Sequence, residues 1–113
     1  MNKNWYVGRL TKAVEIKQTQ DGKTMAKFSL AVKRPYSKEE VDFIDFVAWG
    51  NLATLCGKYL EKGKQIAVEG YLTTRTYEKE GITIKVYEVR AEDVEFLGSK
   101  SKPQEEDSTD IPF

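Results

Sequence analysis

Tyr36, Phe43, Trp49 and Tyr77 are the side chains whose type and setting best suit a ligand. Lys33 and Arg34 precede Tyr36, Lys38 follows it, and Arg75 stands two residues before Tyr77. Nucleobases stack on aromatic rings at about 1–3 kcal/mol each with little regard to sequence, while Lys and Arg follow the phosphates. Aromatics interleaved with bases on the outside of a small domain therefore suit single-stranded nucleic acid. A protein interface is the other reading, since interfaces also favour Tyr, Trp and Arg.

Catalytic chemistry finds no comparable support. The 113 residues include no His, so no Ser-His or Cys-His pair exists. No Gly-rich phosphate loop with its Lys is present. Asp42 and Asp45 fall on opposite faces of one strand, and Glu78 and Glu80 sit in a turn. Cys56 is the single cysteine, which rules out an intrachain disulfide and argues against zinc. No catalytic residue, cofactor or metal is expected. A nuclease on a similar scaffold would need an acid cluster and a basic clamp, and none can be assembled. No apolar run approaches the ~20 residues that cross a bilayer. Met1–Asn4 leads directly into a strand-like segment without a secretory signal, so a cytoplasmic location is expected.

The elements that must position the aromatics follow from hydrophobic period. Trp5–Leu10 and Val14–Thr19 read as one long strand bent near Gly8–Ala13. Trp5 and Tyr6 lie on its opposite faces, so one enters the core and the other is covered, most simply by a second subunit. Gln20–Lys23 is a turn. Met25–Lys33 alternates, with Phe28, Leu30 and Val32 inward and Lys27, Ser29, Ala31 and Lys33 outward. Arg34–Val41 is a loop, since Pro35 excludes a central strand. Asp42–Gly50 is the next strand. Ile44, Phe46 and Ala48 face the core, and Phe43, Asp45, Val47 and Trp49 face outward. A carboxylate at Asp45 between two rings would repel phosphate unless a base such as Arg75 pairs with it. Asn51 can cap a helix whose apolar stripe is Leu52, Leu55, Cys56, Tyr59 and Leu60, with Gly63 ending it. Gln65–Tyr77 and Ile82–Val89 form a hairpin about the turn Glu78–Gly81, and a short strand at Val94 and Phe96 closes the ordered part. Thr73, Arg75 and Tyr77 share one face of the first arm. This order suits an all-β fold, a five-stranded OB-fold Greek-key barrel plugged by one α-helix. Pattern alone leaves an SH3-like barrel or a simple α+β sheet open.

The charge is uneven. The 18 basic and 18 acidic residues balance over the chain. Residues 1–102 hold all 18 bases against 14 acids, a net of +4, and residues 103–113 hold Glu105, Glu106, Asp107 and Asp110, a net of −4. A basic body suits a polyanion, and the acidic end suits a separate role. Gly98–Ser108 lacks apolar residues and is expected to be disordered. Ile111 and Phe113 then stand at the end of an acidic run with no core to join. A terminal Phe presents its ring and the α-carboxylate together, which a basic-rimmed pocket could capture.

Taken together, several stretches resemble the bacterial and phage single-stranded DNA-binding proteins, the OB-fold homotetrameric family. They are Val7-Gly8-Arg9-Leu10, Ala26–Val32, Val47-Ala48-Trp49-Gly50-Asn51-Leu52-Ala53, Tyr59–Gly63, Val68–Tyr77 and Asp110-Ile111-Pro112-Phe113. The resemblance covers residues 4–98 and the terminal motif. It implies base-stacking roles for Tyr36, Phe43, Trp49 and Tyr77, and phosphate contacts at Arg9, Lys33, Arg34 and Arg75. It implies a homotetramer that wraps and protects single-stranded DNA without sequence preference. It also implies that Asp110, Ile111, Pro112 and Phe113 recruit replication, recombination and repair proteins. Residues 1–98 would be the DNA-binding and oligomerisation domain, and 99–113 the tail. An interaction module of a replication or restart complex is the alternative. Ala13-Val14 replaces the Asp-Pro pair of many members, and Trp5 is bulkier than the usual aliphatic residue. The short linker before the tip suggests a phage or mobile-element origin.

Overall fold

Alternation along the third strand sets the barrel wall. Ala26, Phe28 and Leu30 are buried, and the residues between them are more open. The computed structural model describes residues 1–97, so the acidic tail and its tip Asp110–Phe113 lie outside the described residues. In chain order the elements are β1 (Asn4–Leu10), β2 (Glu15–Gln18), β3 (Thr24–Lys33), β4 (Val41–Trp49), α1 (Gly50–Tyr59), β5 (Gln65–Lys79) and β6 (Ile82–Phe96). The sheet runs β1-β5-β6-β4-β3-β2, and an additional β1–β3 pairing closes it into a barrel. Among the described residues only β4 and β6 pair in parallel. This is the all-β OB-type barrel with one helix that the pattern suggested.

Four details differ from the sequence reading. The bent first strand is two strands. Asn4–Arg9 pair with β5, whereas Glu15–Gln18 pair only with β3. The break lets one segment close the barrel and the next extend its rim. The helix begins at Gly50, with Trp49 at the N-cap position and no side-chain cap from Asn51. It ends at Tyr59, and Gly63 adopts its positive φ of 88° in the turn leading to β5. The helix buries Ala53 and Cys56, followed by Leu60, and leaves Leu55 and Tyr59 half exposed. Leu52, Cys56 and Leu60 of the expected stripe thus pack on the core, while Leu55 and Tyr59 do not and Ala53 takes part instead.

The fourth difference is that the short closing strand is continuous with β6. Gly70 pairs with Ala91 and Glu69 with Asp93, so Glu92 is an extra residue in a β-bulge. The bulge shifts the inward positions from Val89 and Ala91 to Val94, which is why strict period-2 counting broke the strand. Gly70 is required there, since a Cβ would overlap the carbonyl oxygen of Arg90. At the other end of the hairpin, Glu80 and Gly81 both have positive φ, the backbone of a tight two-residue turn.

The core is built on Phe46. Its ring stacks on Phe28 at 5.4 Å and meets Tyr6 edge-on at 5.6 Å. Ile66, Val68, Val89 and Leu30 complete the packing. Truncating a buried Phe of this kind costs about 3–5 kcal/mol. Tyr6 is thus the residue of the first aromatic pair that turns inward, while Trp5 stays 68% exposed. Burial pushes the Cys56 thiol up to about 11, so it serves as a small apolar residue.

Candidate nucleic-acid interface

The outer wall of the barrel is assembled by register. Across β3 and β4, Met25 faces Trp49, Lys27 faces Val47, Ser29 faces Asp45 and Ala31 faces Phe43. Val47 is in turn beside Arg90 on β6. Across the hairpin, Tyr71 faces Arg90, Thr73 faces Glu88, Arg75 faces Val86 and Tyr77 faces Ile84. Facing residues share one side of a sheet. The proposed stacking residues of β4 and β5 therefore stand on one continuous surface with Lys27 and Arg90.

Two grooves cross this surface. One, of about 400 Å³, runs between β4 and the hairpin and is bounded by Lys27, Trp49, Thr73, Arg75, Glu88 and Arg90. Its charged lining is Lys27, Arg75 and Arg90 against Glu88, a net of +2. The other, of about 300 Å³, has Lys12, Lys27 and Arg75 against Glu15, Asp45 and Glu88, a net of zero. A polyanion is therefore drawn to the first. Within it the Arg90 guanidinium lies 5.7 Å from the centre of the Trp49 ring. Such a cation–π pair contributes about 0.5–1 kcal/mol at an exposed site and fixes the ring's orientation.

The residues singled out from the sequence separate in the structure. Trp49 and Arg75 share the cationic groove. Tyr77 continues the same face of the hairpin two residues beyond Arg75 and is 43% exposed. Phe43, 68% exposed, lies six residues from Trp49 on β4, about 20 Å away at the usual rise. The two rings are therefore separate posts and not one platform. Between them Val47 is buried, flanked by Lys27 and Arg90, whose aliphatic stems suit such cover. Tyr36 is fully open in the loop after β3, and Lys33 is exposed at the end of that strand.

Two of the four bases are engaged elsewhere. Arg34 donates from Nε and Nη2 to the two Asp42 oxygens at 3.0 Å each, and from Nη1 to Glu40 at 2.9 Å. Hydrogen bonding from Arg34 holds the Asp42 carboxyl below the usual range, and that carboxylate in turn raises the guanidinium. This fork clamps the two ends of the loop that carries Tyr36. Arg9 lies in register with Ala31 and hence with Phe43, but its Nη1 donates to the carbonyl of Gly63 at 3.0 Å. The pairing that would neutralise Asp45 does not form with Arg75. Arg75 bonds through Nε to Glu88 at 3.4 Å, while Asp45 forms no ion pair among the described residues.

Lys27 and Arg90 were not among the residues picked from the sequence. Lys27 carried a usable signal, being outward in a clean alternation. Arg90 followed the expected end of its strand, and only the continuous β6 brings it over Trp49. Among the described residues no group of acids and cysteine could hold a metal ion, and no helix is long and apolar enough to cross a membrane.

A separate outer patch lies on β1. Trp5 faces Glu69, and Val7, 49% exposed, faces Ala67. Lys3 bridges Glu69 at 2.9 Å and Glu92 at 3.0 Å beside it, and hydrogen bonds to these two, Glu69 first, raise its ammonium above the usual lysine value.

The model of the single-strand binding protein family matches residues 1–97. Single-stranded DNA-binding protein 2 of Clostridium acetobutylicum is 41% identical over an alignment of 133 positions that covers all of both chains. The single-stranded DNA-binding protein of Oceanobacillus iheyensis is 37% identical over 114 positions, covering 96% of this chain and 71% of its own. That of Treponema pallidum is 42% identical over 98 positions, and the chain spans only 56% of its length. Among solved structures, a Plasmodium falciparum SSB complex with ssDNA superposes with a TM-score of 0.77 at 29% identity, over 87% of this chain and 96% of that one.

Proposed function

Because the chain belongs to the single-strand binding protein family, we propose that it coats single-stranded DNA without sequence preference and protects it. It is a binding protein and not an enzyme. The observation that carries this reading is the cationic groove in which Arg90 lies over Trp49 while Lys27 and Arg75 line the walls. A strand laid in that groove stacks a base on Trp49 and sets phosphates against Lys27, Arg75 and Arg90. Tyr77, Phe43 and Tyr36 serve as further stacking posts along the outer wall, with Lys33 beside the last. Arg34 and Arg9 support binding by holding the loop and the barrel end in place.

In this reading residues 1–98 bind DNA and assemble, and residues 99–113 form a tail. Its tip, Asp110, Ile111, Pro112 and Phe113, engages replication, recombination and repair proteins. The exposed Trp5 and Val7, next to each other on one face of β1, favour association of copies, and a homotetramer is the assembly that the family resemblance implies.

Titration with oligo(dT), followed by intrinsic fluorescence and native mass, tests the reading. Quenching that is lost in Trp49→Phe, with affinity falling as salt rises, is the expected result. Absence of quenching and of any mass increase with DNA would refute it and favour a protein-interaction module. Deleting residues 103–113 should keep or slightly raise DNA affinity and abolish recruitment of partner enzymes.

A further inference from the structure

The cationic groove does not end at Trp49. A third and larger groove, of about 710 Å³, opens on the far side of the same two residues, and both Trp49 and Arg90 line it as well as the first. Its remaining walls come from the β2–β3 turn, through Thr19 and Lys23, and from the start of α1, through Asn51 and Thr54. Neither Lys23 nor Arg90 forms an ion pair among the described residues. Asp21 is the one carboxylate in the lining, against Lys23 and Arg90, which leaves a net of +1.

We infer that single-stranded DNA passes over the Trp49–Arg90 pair and continues into this groove, where Lys23 takes a phosphate and the Asn51 amide meets a sugar or base edge. The inference rests on the DNA-binding reading above and extends the path by one segment. Arg90 is the junction. It orients the Trp49 ring from one side and is placed to meet the backbone as the strand leaves one groove for the other. A purely apolar occupant is disfavoured, because seven of the ten lining residues carry a hydroxyl, amide or charge. A polyanion with hydrogen-bonding edges matches it.

The test uses the full chain and oligo(dT). Arg90→Gln and Lys23→Gln are each expected to weaken binding about 3- to 30-fold. Each should also lower the salt slope by about 0.7 per protomer, the value for one phosphate on a single strand. Arg90→Lys should keep the slope and lose part of the affinity, because an ammonium cannot stack on the ring as a guanidinium does. Oligonucleotides carrying 5-iododeoxyuridine should cross-link to the peptide spanning residues 19–24. Wild-type affinity and slope in both Gln variants, with no cross-link to that turn, would overturn the inference while leaving DNA binding intact. A loss with Arg90→Gln but none with Lys23→Gln, and no cross-link, would overturn the extension and confine Arg90 to the first groove. Failure of the wild-type chain to bind oligo(dT) would remove the proposed function and this inference together.

Discussion

Replacing Glu88 with Gln should tighten DNA binding. The Glu88 side chain is only 16% exposed, faces both grooves of the outer wall and lies 3.4 Å from the Arg75 Nε. A phosphate seated on Arg75 would stand roughly 7 Å from that carboxylate. Coulomb repulsion at this separation is about 0.6 kcal/mol in bulk water and about 2.4 kcal/mol at the effective dielectric of a partly shielded surface. Removing it predicts a roughly 3- to 50-fold lower Kd at low salt. The opposing cost is small. Arg75 is half exposed and its ion pair is worth about 0–1 kcal/mol. The Gln oxygen can still accept from Nε and keep the guanidinium in place. Affinity for oligo(dT) would be followed by fluorescence from low to moderate salt, with urea melts confirming that stability stays within about 1 kcal/mol. The gain should shrink as the Debye length falls. Unchanged or weaker binding at low salt would refute the reasoning. It would mean that the strand does not approach Arg75, or that the carboxylate's hold on Arg75 outweighs its repulsion.

Gly70→Ala should cost about 1–3 kcal/mol in urea unfolding, because the added methyl overlaps the Arg90 carbonyl oxygen at the bulge; a neutral result would show that the bulge relaxes freely. The Asp42 carboxyl should titrate below its ordinary 3.8 in carboxyl NMR, and Arg34→Gln should move the midpoint up. Since this folded value is depressed, the pair's contribution is present above the unfolded value and is lost as pH falls through the folded one. Acid should therefore loosen the Tyr36 loop, and identical midpoints in the two proteins would show that the clamp does not form in solution.

How much of this was legible beforehand depended on whether a local period carried it. The alternation of β3 and β4 placed Phe28, Leu30, Phe46 and Ala48 in the core correctly, and the barrel order followed. The helix face was right at Leu52, Cys56 and Leu60 but misjudged at Leu55 and Tyr59, which are large and apolar, while the small Ala53 is what the closely packed interior admits. The bulge at Glu92 was invisible because an extra residue looks like the end of a strand when only the period is read. That one irregularity hid Arg90 and with it the centre of the groove. Pairing was also beyond reach. Arg34 looked like a phosphate contact from its neighbours in sequence, yet Glu40 and Asp42, six and eight residues on, return across the loop to hold it.

These pairings change which side chains carry the salt dependence of binding. Counting bases near the aromatics would assign phosphate contacts to Arg9, Lys33, Arg34 and Arg75. Two of these already donate to protein acceptors at 2.9–3.0 Å, and breaking such bonds to reach a phosphate would return little net energy. Lys27 and Arg90 take their place beside Lys33 and Arg75, so the number of contacts per protomer is four, or five with Lys23 on the extended path, while their position moves toward Trp49. Single strands lose about 0.7 in slope per contact, which gives roughly −2.8 for each occupied protomer, or roughly −3.5 with Lys23 engaged. Arg34→Gln should leave that slope unaltered, whereas Arg75→Gln should reduce it. The two substitutions remove the same formal charge, so a difference between them reports which guanidinium reaches the strand: Arg34 is held by three bonds of 2.9–3.0 Å, whereas Arg75 has a single long one of 3.4 Å to Glu88.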